Sequence, residues 1–268
     1  MSEKVDLYDS AYSHYEADVY RHVRTATYGE DLGQTSWVTG EESAEIPRLL
    51  QLTAASRVLE MGCGSGRYAL QIAESVGCSV LGLDINASGI RNGNALAAAR
   101  SVSGRVIFQQ CDVSQKLPFP DASFDAAFAN DVLCHIPGRL AVFQEIFRVL
   151  KPDGRFLFSD ALVIGGIVSH QEIAARSSIG YYLFSPPSHN EELLQRAGFR
   201  LIEVRDTTDN AATIADKWRE AREKHRQALV AAEGEANFSG VQEFLSCVHA
   251  LTSERRLLRF LYVAEKPE

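Results

Sequence analysis

The 268-residue sequence predicts an α/β fold: a seven-stranded, mostly parallel sheet with an N-terminal helical lid and a helical cap inserted before the last strand. Three observations predict it. Short apolar runs alternate with amphipathic stretches of helix length, the pattern of parallel strands joined by right-handed crossovers. Several of these runs end in an acid, an asparagine or a glycine, at the edge where open α/β sheets take ligands. The composition, 46% hydrophobic and 23% charged, is that of a globular chain rather than a disordered one.

The elements follow in chain order. Residues 1–28 place apolar or aromatic side chains at Leu7, Tyr12, Tyr15, Val19, Tyr20 and Val23, a loosely helical spacing. Gly29–Ser43 is polar and punctuated by glycine, which reads as a loop leading into a helix near Glu42–Thr53. RVLEM (57–61) is a strand that breaks at GCGSG (62–66), and Arg67–Val76 is a helix ended by Gly77. CSVLGLD (78–84), RVIFQQCD (105–112) and SFDAAFAND (123–131) are the next strands, with an alanine-rich helix over Ser88–Ser101. Leu140–Leu150 carries Val142, Phe143, Ile146, Phe147 and Leu150 on one face, KPDG (151–154) is a turn, and RFLFSD (155–160) is the fifth strand. Beyond it lie a helix over Asn190–Ala197, a strand over 199–206, a long charged helix over Thr213–Ala232, an amphipathic helix over Phe238–Thr252 and a last strand over 255–266. The chain divides into a lid and loop (1–43), a ligand-binding core (44–160), and the remaining strands with the cap (161–268).

Charge and cysteine content bound the function. A net charge of -8 disfavours nucleic acid and anionic membranes as partners. No apolar run approaches the roughly 18 residues of a membrane span. The start, MSEKVDLYDS, lacks the basic and apolar segments of a signal peptide, so the expected location is cytoplasmic. The five cysteines are scattered with no C-x-x-C pair, and no histidine shares ligand spacing with them, so neither a disulfide frame nor a metal site is expected.

The glycines Gly62, Gly64 and Gly66 follow the first strand directly, where absence of Cβ lets a ligand approach the backbone. Their spacing is GxGxG, not the GxGxxG of dinucleotide sites, and Glu60 stands just before them. A carboxylate there repels a pyrophosphate and suits a cationic ligand such as S-adenosylmethionine. Asp84, 18 residues beyond Gly66, ends the second strand, where an acid can grip two ribose hydroxyls. Asp112 and Val113 end the third, offering an acceptor to an adenine amino group and a backbone N–H to its ring; Asn130 ends the fourth, beside the methionine end. Taken singly, each acid could be a surface cap and each glycine a turn.

The segments VLEMGCGSGRYAL, LGLDINASGI, CDVSQKLPFPDASFDAAFANDVLCHI and FRVLKPDGRFLFSD, in this order, resemble the successive motifs of class I S-adenosylmethionine-dependent methyltransferases across residues 57–160. The resemblance implies a Rossmann-like fold and a cofactor site at Glu60, Gly62, Cys63, Gly64, Gly66, Asp84, Ile85, Asp112, Val113 and Asn130. The piece Tyr28–Gln34 with Trp37 is similar to the lid of the sarcosine/dimethylglycine and phosphoethanolamine N-methyltransferases and of natural-product sugar O-methyltransferases. That implies Gln34 and Gly33 near the cofactor, with one of Tyr8, Tyr12 or Tyr15 facing the methyl group.

For the methyl acceptor, His135 just past the fourth strand is the first candidate base, Asp160 the second and Asp131 the third; the alternatives are packing under the lid for the histidine and local capping for the acids. Tyr181, Tyr182, Phe184 and Pro186–Pro187 either line an acceptor pocket or fill the cap. The reading is transfer of a methyl group to a nitrogen or oxygen of a small-molecule acceptor. The alternatives are carbon methylation of a lipid or quinone-like acceptor, and a non-catalytic cofactor-binding scaffold. The cap could close its own site or meet a second subunit, which leaves room for a homo-oligomer.

Overall fold

Val58, Leu59, Glu60 and Met61 are all buried, the sign of a strand covered on both faces, and Arg57–Met61 forms β1 at the middle of the sheet. The structure is a computed structural model and describes residues 5–268. Before β1 come α1 (Tyr8–Ser13), α2 (Asp18–Tyr28) and α3 (Gly40–Leu49). After it the chain alternates: α4 (Arg67–Val76), β2 (Ser79–Asp84), α5 (Ala87–Ala99), β3 (Val106–Gln110), β4 (Phe124–Asn130), a 3₁₀ turn at Leu133–His135, α6 (Arg139–Val149) and β5 (Leu150–Ile164). Then follow α7 (His170–Arg176), α8 (His189–Ala197), β6 (Arg200–Asp206), the cap helices α9 (Thr208–Lys224), α10 (Arg226–Glu233) and α11 (Glu235–Ser253), and β7 (Leu257–Glu265).

The sheet runs β3-β2-β1-β4-β5-β7-β6, with β7 antiparallel to both β5 and β6 and the other pairings parallel. The chain steps outward from β1 to β3 on one side and from β4 onward on the other. The carboxyl ends of β1 and β4 therefore diverge into a crevice, the usual ligand position of such sheets. Local chemistry fixes the edges of that crevice. Gly66, at φ 85°, turns the chain out of β1 into α4, and a Cβ there would collide with the Phe108 ring. The Asn86 side chain caps α5, accepting from the Ser88 and Gly89 N–H groups at 3.0 Å each.

Four elements differ from the sequence reading. KPDG is no free turn: β5 begins at Leu150, and Asp153, at φ 60°, donates its N–H to the Lys266 carbonyl of the neighbouring strand at 2.9 Å. The charged helix over 213–232 is two helices meeting at His225, because the chain folds back there to seat Leu229 in the cap core. The lid helix is also two, separated by extended backbone at Ala17. The third helix starts at Gly40, where the Thr39 hydroxyl caps it, so it runs through the 43/44 division.

The cap closes on the lid. Leu7, Tyr20, Val23 and Trp37 share one hydrophobic cluster with Ile214, Trp218, Phe238 and Phe244. The Trp37 ring lies 6.1 Å from both Trp218 and Phe244. Arg259 of β7, fully buried, pins this cluster to the sheet through Asp131 (2.8 Å) and Glu42 (2.8 Å). Among the described residues no helix is long and apolar enough to cross a membrane.

Candidate active site

A cavity of about 730 Å³ fills the crevice, within the range of small-ligand sites. Its floor is the loop after β1, with Gly62, Cys63 and Gly64 on the wall. Asp84 and Ile85 line it from the end of β2, Asp112 and Val113 from beyond β3, and Asn130 from β4. The lid supplies Tyr8, Tyr12, Gln34 and neighbours; His135 closes the far end with Ile179 and Gly180.

The donor set at one end matches a nucleoside. Asp84 accepts the Gly64 N–H at 2.7 Å through one oxygen and the Asn86 N–H at 2.8 Å through the other, so each oxygen keeps a lone pair toward the cavity. Burial raises its pKa, while those backbone donors favour the ionised form. Asp112 is held below the usual carboxylate range by Ser114, whose N–H donates at 2.9 Å. In the middle, buried polar atoms lack partners. Asn130, 7% exposed, has neither its amide nitrogen nor its oxygen paired, and Ser65 Oγ is likewise orphaned. Arg67, the residue after the glycine loop, leaves Nε and Nη1 unpaired, its guanidinium lying 5.3 Å from both the Tyr28 and Tyr68 rings. Buried polar atoms are seldom left so, and these three residues line the cavity, where the ammonium and carboxylate of a ligand would pair them. S-adenosylmethionine, with its ribose, adenine and amino-acid end, fits this set.

At the other end His135 is held by both ring nitrogens. Nδ1 lies 3.1 Å from the Tyr181 carbonyl, which only accepts, so Nδ1 carries the proton and Nε2 accepts from the Tyr8 hydroxyl, also at 3.1 Å. Burial pushes the imidazole pKa down to about 4, so the ring is neutral. The Tyr8 phenol is held well above its usual pKa by burial. The ring of Tyr182 stands 4.4 Å from His135.

Several sequence candidates lie elsewhere or are already engaged. Asp160 is fully buried away from the cavity, bound by Arg139 at 2.6 Å and by Asn190 at 2.9 Å. Asp131 lines the cavity, but Arg259, Ser159 and the Trp37 N–H occupy its oxygens, so it anchors the lid loop instead of offering a base. Glu60 stands behind the glycine loop outside the cavity lining; it accepts the Ala69 N–H at 3.2 Å in the first turn of α4, and burial raises its pKa well above normal. Gly66 shapes the turn without lining the cavity. Gln34 reaches the cavity wall, but its side chain closes on Leu32 and Glu30 of its own loop. Of the segment 181–187, Tyr182 and Phe184 fill the cap and only the preceding Ile179 and Gly180 touch the cavity. Arg67 was missed in the sequence, although it follows GCGSG directly.

A family model described as "Methyltransferase domain" matches residues 59–158. An O-methyltransferase of Aspergillus sclerotiorum is 33% identical over 66% of this chain and 67% of its own. The 27-O-demethylrifamycin SV methyltransferase of Amycolatopsis mediterranei is 28% identical over 94% of this chain and 95% of its own. Among solved structures, the phosphoethanolamine N-methyltransferase 2 of Haemonchus contortus in complex with S-adenosyl-L-methionine superposes with a TM-score of 0.79 at 23% identity, covering 96% of this chain and 60% of that one, a likeness of fold. The chain belongs to the S-adenosylmethionine-dependent methyltransferases. Within them, small-molecule acceptor methylation is what its O- and N-methyltransferase relatives support.

Proposed function

We propose that the protein methylates a hydroxyl oxygen of a small organic acceptor, with Tyr8 and His135 removing the proton. The carrying observation is the neutral His135 imidazole, whose Nε2 accepts from the Tyr8 hydroxyl at the acceptor end of the cavity, while Asp131, the buried carboxylate nearby in the lining, is held by Arg259. An ammonium acceptor would need a buried carboxylate beside it, and Asp131 is held by Arg259 while Asp160 lies outside the cavity lining. The relative matched over nearly its whole length, a 27-O-demethylrifamycin SV methyltransferase, is named for methylation at oxygen.

When bound, S-adenosylmethionine would supply an electrophilic methyl group, with its thioether as the leaving group. The protein holds that donor by its ends. Asp84 takes the ribose hydroxyls and Asp112 with Val113 the adenine edge; Asn130 takes the ammonium through its orphaned oxygen, and Arg67 the carboxylate. The acceptor hydroxyl hands its proton to Tyr8 Oη as the Tyr8 proton passes to His135 Nε2, leaving an imidazolium whose Nδ1–H still holds the Tyr181 carbonyl. The lid over Tyr8 and Tyr12 excludes water, and alignment with desolvation does most of the remaining work.

The test is a methylation assay by mass spectrometry on matched phenols, alcohols and amines, with His135→Ala beside the native protein. O-methylated products, formed about 10²–10⁴-fold more slowly by the variant, are expected. Preferential methylation of amines, or unchanged rates in His135→Ala, would overturn the assignment.

A further inference from the structure

Arg176 is 1% exposed and has no carboxylate partner among the described residues. Its Nε and Nη1 make no hydrogen bond. What surrounds the guanidinium is aromatic: Tyr182 at 4.3 Å, Phe244 at 5.0 Å and Trp37 at 5.8 Å from the ring centroids. Every other fully buried arginine of the core is answered by acid, Arg139 by Asp160 and Arg259 by Asp131 and Glu42. A buried charge held by ring faces and the Tyr182 hydroxyl, with no carboxylate, is costly, and cation–π contacts offset only part of that cost. The position explains the expense. Arg176 ends α7 three residues before Ile179, which lines the cavity, and only the Tyr182 ring separates it from His135.

We propose that Arg176 is a specificity-determining residue that selects acceptors able to become anions, phenols and enols, over amines and aliphatic alcohols. The inference rests on the reading of the cavity as an O-methylation site and names the acceptor class that site takes. The buried groups facing this end are the neutral His135, the phenols of Tyr8 and Tyr182, the Cys134 thiol, and two carboxylates, Asp131 and Asp160, each neutralised by its own arginine; the Asp6 and Asp9 carboxylates beside Tyr8 are exposed to water. Among the described residues Arg176 is thus the one fully buried charge there without a counter-charge. A water-poor chamber strengthens its field, which stabilises negative charge growing on the acceptor oxygen and repels an ammonium. Arg176 does not reach the cavity lining, so it acts across the Tyr182 ring and positions charge instead of touching the acceptor.

The probe is 4-nitrophenol, whose anion is coloured and whose ionisation in the bound state is read directly by absorbance. Native protein, Arg176→Lys, Arg176→Gln and Arg176→Met are each loaded with S-adenosylhomocysteine, with loading followed by calorimetry. The expected result is a downward shift of the bound nitrophenol's apparent pKa by about one unit or more in the native protein, kept in Arg176→Lys and lost in Arg176→Gln and Arg176→Met. Loading with S-adenosylhomocysteine but no shift, no nitrophenol binding, or a shift surviving in both neutral variants would overturn the proposal. Failure of the native protein to take S-adenosylhomocysteine would instead sink the cofactor reading beneath it. Should the neutral variants not fold, the native protein decides alone: affinity across substituted phenols must rise with their acidity, and a flat series overturns the inference.

Discussion

At the residue scale the acceptor end turns on two side chains that the chain brings together across 127 positions, Tyr8 and His135. On the proposed proton path, Tyr8→Phe and His135→Ala are each expected to lower kcat by a factor of about 10²–10⁴, and the double variant by little more than the worse single one; additive losses in the measured cycle would separate the two roles. The depressed His135 pKa has two consequences of known sign. In the native protein the ring stays unprotonated down to about pH 4, so the acid limb of kcat/KM lies near there and not near the ordinary histidine value. Since the folded pKa lies below the unfolded one, protons favour the unfolded chain; the stability linked to this ring is complete above the unfolded value and is lost as pH falls from it toward 4. Urea titrations from pH 7 to 4 should show a shallower decline in His135→Gln. At the cofactor end, Asp84→Ala should weaken S-adenosylhomocysteine about 10- to 100-fold by calorimetry, the worth of a charged hydrogen bond of roughly 1.5–3 kcal/mol. That Asp84, Asp112 and His135 share one cavity was legible in the sequence because each stands at the end of its own strand or in the segment just beyond. Asp131 and Asp160 stand in equivalent places, yet their meaning lies in Arg259 and Arg139, which local pattern does not connect to them.

At the scale of elements, the strands and the helices between them were readable from periodicity, since each buries a continuous face. The breaks at Ala17 and His225 were not, because neither carries a glycine or proline and both are set by where the lid and cap pack. The short α1 is the most consequential piece. It buries Ser10 and Tyr12 and is latched to α5, the Asn92 amide donating to the Tyr12 carbonyl at 2.9 Å and the Asn86 amide to Asp9 at 2.7 Å. Asn86 also caps its own helix, so Asn92 is the cleaner probe. Asn92→Ala removes one bond worth about 0.5–1.5 kcal/mol. Release of S-adenosylhomocysteine in stopped flow should quicken about 2- to 10-fold while the unfolding midpoint stays close to native; unchanged release would mean that α1 does not gate the cavity.

Across the whole molecule, lid, cap and sheet meet at Arg259. One guanidinium on β7 holds Glu42 of the third lid-side helix, Asp131 at the end of β4, and Thr207 at the entrance to the cap. Replacing it by methionine strands two buried carboxylates, at a cost of about 3–5 kcal/mol, and should lower Tm by roughly 10 °C. The loss should appear as one transition in far-ultraviolet circular dichroism, with no early release of the lid; a lid that melts first would show the pieces to be separately stable.

The chain has only two tryptophans, and both sit at the junction of lid and cap, Trp37 on the loop leading out of the lid and Trp218 on α9. All of its indole emission therefore originates at one spot, beside the Arg176 cation. The protein carries its own optical gauge: without any label, the colour and intensity of its fluorescence follow the seam between lid and cap.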